Sequence, residues 1–84
     1  MPYQILIKRP AEKELESLPL TLRNRIINRM LGLEDNPRPA GARKLQGEES
    51  YRLRVSDYRI LYTIDDNAHL VMIYAIGHRR EVYR

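Results

Sequence analysis

The stretch Tyr51-Arg52-Leu53-Arg54-Val55-Ser56-Asp57-Tyr58-Arg59-Ile60-Leu61-Tyr62 decides the fold. Tyr51, Leu53 and Val55 alternate with Arg52 and Arg54, the period-two pattern of a strand with one buried face. Ser56-Asp57 suits a two-residue turn, and Tyr58 to Ile64 reads as a second strand returning along the first. This register sets Val55 against Tyr58 and Arg54 against Arg59. A further turn at Asp66-Asn67 sets Ile64 against His69 and Arg59 against Tyr74, and Leu70 to Ile76 forms a third strand that Gly77 breaks.

Because a one-residue slip moves every side chain to the other face, these registers fix which residues share a surface. One face carries Leu53, Val55, Tyr58, Ile60, Tyr62, Ile64, Val71, Ile73 and Ala75. The other carries Arg52, Arg54, Arg59, Leu61, Thr63, Met72 and Tyr74. Upstream, Tyr3 to Lys8 reads as a strand with Tyr3, Ile5 and Ile7 on one face and Gln4 and Lys8 on the other. Pro10 and Glu12 mark the start of a short helix with apolar Ala11, Leu15 and Leu18, which ends at Pro19. A longer helix follows, with Leu22, Ile26, Met30 and Leu33, flanked by Ile27 and Leu31, on its apolar face and Arg23, Arg25, Asn28 and Arg29 outside. Pro37 and Pro39 stop it. Ala40 to Ser50 reads as loop around Lys44-Leu45, and the chain closes on a basic tail from His78 to Arg84. The order β-α-α-β-β-β describes one α+β domain over residues 1–84, with two helices on one face of an antiparallel sheet.

Composition narrows the function. The chain has 84 residues, 43% hydrophobic and 31% charged, which suits one folded domain. No apolar run approaches a membrane span, and the first residues lack a secretory signal, so a cytoplasmic protein is expected. With no cysteine and two separated histidines, neither a disulfide framework nor a zinc site is expected. No glycine-rich phosphate loop is present. The formal charge of +4 is split evenly between the two halves of the chain, so charge placement matters more than charge count.

Three arginines on one sheet face repel one another, and no acidic residue within the three expected strands offsets them. The plain alternative is a solvated face. An anionic ligand supplies the missing charge more directly, since the guanidinium fork matches phosphate oxygens and its plane stacks on bases. Single-stranded RNA laid over the sheet, with Tyr74 or Tyr83 for stacking, fits better than duplex DNA.

The ordered set Lys44-Leu45-Gln46-Gly47, Tyr51-Arg-Leu-Arg-Val55, Tyr58-Arg-Ile-Leu-Tyr62 and Gly77-His-Arg-Arg-Glu-Val-Tyr83 resembles the RelE-type toxins of the RelE/ParE toxin–antitoxin superfamily. The resemblance covers essentially the whole chain. It implies a microbial-RNase-like fold and an endoribonuclease that needs no metal or cofactor, cuts messenger RNA in the ribosomal A site, and is silenced by a cognate antitoxin. Implied site residues are Arg59, Arg79, Tyr83 and His78 for catalysis, with Arg52, Arg54, Lys44 and Arg80 on the RNA. Gln46 stands where a well-studied branch has arginine, and Arg52 and Arg54 stand where that branch has lysines. Arginine does not deprotonate in proteins, so these two serve as clamps rather than bases. That leaves His78, which titrates near neutrality, the edge as acid or base. His69, Glu48 and Glu49 read as surface residues. The alternative within the superfamily is a ParE-like toxin that binds and inhibits DNA gyrase without cutting RNA.

Overall fold

A computed structural model describes residues 2–45 and 49–78. The elements are β1 (Gln4–Ile7), α1 (Arg9–Glu16), α2 (Leu20–Gly32), β2 (Ala42–Lys44), β3 (Ser50–Val55), β4 (Tyr58–Asp65) and β5 (Leu70–His78). The α+β class and the two helices are as expected. The sheet is mixed and five-stranded, ordered β1-β5-β4-β3-β2, where the sequence suggested four antiparallel strands. β1 runs parallel to β5, joined by the Gln4 and Lys8 N–H groups donating to the carbonyls of His69 and Ile73 at 2.8 Å. β2 is an added edge strand, antiparallel to β3.

The core lies between the helices and one sheet face. Ala11, Leu15 and Leu18 beneath α1, and Ile26, Met30 and Leu33 along and just beyond α2, meet Leu53, Val55, Ile60, Tyr62, Val71, Ile73 and Ile76. α1 packs over β5 and α2 over β3. Pro10 occupies the first turn of α1, where its missing N–H costs nothing. Ser17 closes the helix, its hydroxyl donating to the Glu14 carbonyl at 2.7 Å. Leu31, expected on the apolar face of the long helix, and Ile7, expected on the same face as Tyr3 and Ile5, stand at the surface. Leu31 is 50% exposed, and Ile7 and its neighbour Leu6 are 37% and 44% exposed on edge strand β1. Arg23, expected outside, is half-buried and donates to the carbonyls of Glu16 and Leu18 at 3.2 Å.

The first hairpin has the expected register, with Val55 opposite Tyr58 and Arg54 opposite Arg59. The second differs twice. Its loop holds four residues, 66–69, rather than two, with His69 left-handed at φ 52° and the Ala68 N–H donating to Asp65 Oδ1 at 3.0 Å. Ile64 therefore faces Val71, a slip of two residues that preserves the faces. Further along, Leu61 pairs with Ala75 while Tyr62 pairs with Ile73, leaving Tyr74 as the extra residue of a β-bulge. Beyond the bulge the parity of β5 reverses. Ile76 enters the core, whereas Ala75 joins the outer face. Gly77 does not end the strand, which runs on to His78.

A polar network ties the loop after α2 to the far end of the sheet. Arg38 forks onto Asp66 through Nη1 and Nη2 at 3.2 and 2.9 Å, and the Tyr3 hydroxyl donates to the same carboxylate at 2.6 Å. The guanidinium holds the Asp66 carboxyl below its usual range. Arg38 Nε also donates to the Tyr51 hydroxyl at 3.1 Å, and Tyr51 stacks on Tyr62 with centroids 5.8 Å apart.

Candidate functional site

The sheet face opposite the helices carries the arginines. Two rows of cross-strand partners decide its character. Arg43, Arg52, Leu61 and Ala75 lie side by side across β2 to β5, and Arg54, Arg59 and Gly77 form the next row at the tip of the β3–β4 hairpin. Partners directly opposite in an antiparallel ladder share a face, so Arg43 confronts Arg52 and Arg54 confronts Arg59. Each of these juxtapositions is unfavourable unless an anion intervenes. Among the described residues, Arg43, Arg52 and Arg54 form no ion pair; the pairs present join Arg9 to Glu12, Arg38 to Asp66 and Lys44 to Glu49.

Exposure grades across the cluster. Arg43 and Arg54 are exposed, while Arg52 and Arg59 are half-buried between neighbouring strands. Gly77, opposite Arg59, is buried and has no side chain. A half-buried, always-charged group above a low-dielectric sheet acts more strongly on an anion than the same group in open water. The arrangement suits gripping phosphate oxygens through several forks at once.

The structure gathers only part of the expected site. Arg52, Arg54 and Arg59 stand together as expected. Lys44 does not join them: it pairs with Tyr51 and shares that residue's face, its Nζ 4.0 Å from Glu49 Oε2. Arg43 takes the corresponding place on the arginine face. The sequence shows the alternation Ala42-Arg43-Lys44, but three residues inside a loop-like stretch gave no strand signal. His78, expected in the basic tail, is the last residue of β5. It pairs with Tyr58 and sits edge-on to that ring, with centroids 5.6 Å apart and planes at 78°. By the alternation of the strand it is on the side opposite Arg59. Tyr74, expected to be available for stacking, is the half-buried bulge residue. Arg79, Arg80 and Tyr83, like Gln46 and Glu48, lie outside the described residues. His69 and Glu49 are exposed, as expected.

Two helices over one face of a five-stranded sheet, with arginines gathered on the open face, define a small α+β domain with a cationic sheet surface. The family model describing the ParE toxin of type II toxin–antitoxin systems, parDE, matches residues 5–83. Toxin RelG of Mycobacterium tuberculosis is 32% identical over 88 residues, spanning 100% of this chain and 99% of the relative. Toxin RelE of the same organism is 34% identical over 87 residues, spanning 99% and 88%. Among solved structures, the archaeal RelE–RelB complex from Pyrococcus horikoshii OT3 matches with a TM-score of 0.85 and 28% identity, covering 98% of this chain and 100% of that one. The toxin–antitoxin complex RelBE2 from Mycobacterium tuberculosis matches with a TM-score of 0.83 and 27% identity, covering 96% and 95%. The chain belongs to the ParE toxin family of type II toxin–antitoxin systems, and within the RelE/ParE superfamily it is a RelE-type toxin.

Proposed function

We propose that this toxin is a metal-independent endoribonuclease that cleaves messenger RNA in the ribosomal A site and is neutralised in the cytoplasm by a cognate antitoxin. The observation that carries this reading is the pair of directly opposed arginines, Arg43 with Arg52 and Arg54 with Arg59, on the open sheet face. In the cleavage, the 2′-oxygen forms a bond to the adjacent phosphorus and the 5′-oxygen leaves. Negative charge grows on the phosphoryl oxygens, where preorganised guanidinium groups stabilise it. Arg59, half-buried and fixed between two strands, is the stabiliser of that charge, with Arg79 as its partner. Arg52 and Arg54, with Arg43, clamp the flanking backbone and hold the 2′-oxygen in line. Tyr83 orients the substrate by stacking. Arg80 adds an RNA contact from the tail, whereas Lys44 on the other face does so only at the sheet edge.

Translating extract supplied with the purified chain tests the reading. Messages cut within the reading frame, with DNA gyrase supercoiling unchanged, is the expected result. The matching family model carries the ParE name, and the second reading is the ParE-like one, in which the chain inhibits gyrase by binding it. Blocked supercoiling with intact message would establish that one instead.

The antitoxin has exposed apolar side chains to cover. Leu20, 63% exposed, and Leu31, 50% exposed, stand on one side of α2, and Leu6 and Ile7 line the β1 edge. The P. horikoshii and M. tuberculosis structures pair RelE-type toxins with their antitoxins. An amphipathic antitoxin segment with acidic residues suits both the apolar stripe and the arginine face.

On the Tyr58 side of the sheet, the His78 imidazole braces a ring, and we assign it that role over general base. His78→Gln is expected to keep the pH profile of single-turnover cleavage between about pH 5.5 and 8.5, which brackets an ordinary histidine near 6.5. A general base contributes about 100- to 10,000-fold. A loss of that size with a flattened profile would place His78 in the chemistry.

A further inference from the structure

The β3–β4 turn holds an arginine from the helix layer. Arg25 of α2 donates from Nη1 to Ser56 Oγ at 2.7 Å, and Arg54 donates from Nε to the Ser56 carbonyl at 3.3 Å. Arg54 is in turn directly opposite Arg59. Positive charge thus runs from Arg59 through Arg54 and round the hairpin tip to Arg25. Ser56 is left-handed, at φ 54°, a conformation that glycine or asparagine adopts more readily. Serine at this position supplies a hydroxyl that meets Arg25.

Helix α2 carries Arg23, Arg25 and Arg29 and no acidic residue. Arg23 is committed to the carbonyls of Glu16 and Leu18, whereas Arg25 reaches out of the helix layer. Both Arg25 and Arg54 are exposed, and each spends one donor on Ser56 out of the five a guanidinium has. A hydroxyl and a carbonyl satisfy a donor but offset no charge. The neighbouring Asp57 forms no ion pair with either arginine among the described residues.

We propose that Arg25 and Arg54, which meet at Ser56, form a second phosphate-binding point for RNA, carrying the substrate from the arginine face round the hairpin tip towards α2. This makes Arg25 a substrate contact and rests on the RNA-cleaving reading above. The same exposed charge suits an acidic antitoxin segment, but continuity with Arg54 and Arg59 favours RNA. An RNA chain held at Arg59 meets its next contact here, whereas an antitoxin has the apolar stripe of α2 to follow.

The test measures binding of the full chain to a short RNA with a 2′-deoxy nucleotide at the cleavage point, and to ribosomes programmed with the same message, across salt. Arg25→Ala is expected to weaken binding roughly tenfold. It is also expected to lower the salt slope by about 0.7, the value for one single-strand phosphate contact. Arg25→Lys, which keeps the charge, is expected to recover most of the loss. Ser56→Ala removes the bond to Arg25 but not the arginine, so unchanged or tighter RNA binding separates a phosphate contact from a merely structural tie. A loss on programmed ribosomes alone assigns the phosphate to ribosomal RNA. If the unmodified chain binds neither RNA, the nuclease reading itself fails. If it binds but Arg25→Ala matches it in affinity and slope, only this inference falls. Weakened antitoxin binding with intact RNA binding overturns it in favour of the antitoxin.

Discussion

Arg59→Ala is expected to slow single-turnover cleavage of ribosome-bound message about 100- to 1,000-fold, the usual cost of removing one transition-state donor. The expectation rests on position. Arg59 is half-buried on the third strand of a five-strand row, opposite Arg54 on one side and the side-chain-free Gly77 on the other. Arg59→Lys separates charge from shape. A lysine keeps one positive charge but not the planar fork, so partial recovery is expected if bidentate contact matters. Melting temperature and antitoxin binding are measured alongside, because truncating a half-buried side chain also removes packing. A folded Arg59→Ala protein that cleaves at the original rate would remove Arg59 from the chemistry.

The first hairpin was legible because two independent signals agree there. Alternation of apolar and basic residues runs on both sides of Ser56-Asp57, and the turn has the length that this register demands. The second hairpin shows the limit of such reading. Asp66-Asn67 is a good two-residue turn in sequence, yet the chain closes two residues later with His69 in the left-handed region. Strand period forgives that slip of two. It does not forgive the bulge at Tyr74, which shifts the register by one and exchanges Ala75 for Ile76 in the core. No glycine or proline marks the bulge, and a run of apolar residues on β5 reads equally well in either parity.

The same mechanism explains the site. Arg52, Arg54 and Arg59 are legible because they lie on the hairpin whose register the alternation and turn define. Gly77 looks like a strand end in the sequence, which puts His78 in a tail, yet β5 runs on through the buried glycine to His78. Arg43 gives no signal because an edge strand of three residues has too few positions to display a period. The direction of β1 was not legible either. No hairpin connects it to β5, and its parallel pairing is set by where the helices return the chain.

Tyr62→Ala is expected to be the most damaging core substitution for stability. Tyr62 is fully buried, stacks on Tyr51, and donates its hydroxyl to the Pro37 carbonyl at 2.8 Å, pinning the loop after α2 to the centre of the sheet. Emptying a site of this size typically costs about 3–5 kcal/mol. Small domains have roughly 5–15 kcal/mol in all. A large part of the population should therefore unfold on modest heating. Tyr62→Phe keeps the ring and loses only the hydrogen bond, which leaves the buried Pro37 carbonyl without this donor at a cost of about 1–3 kcal/mol. Each kcal/mol lowers the melting temperature by roughly 4–8 °C in a domain this small. Alkaline pH gives a second readout. Burial pushes the Tyr62 hydroxyl up to about 12 from an ordinary value of 10, so the folded state favours the protonated form. That contribution is fully present below pH 10 and is lost as pH rises through about 12. The stability gap between the unmodified chain and Tyr62→Phe should accordingly narrow between those values. Calorimetry from pH 7 to 11 checks both parts. A Tyr62→Ala protein melting within a few degrees of the original would show that the loop and the sheet centre hold together without this residue.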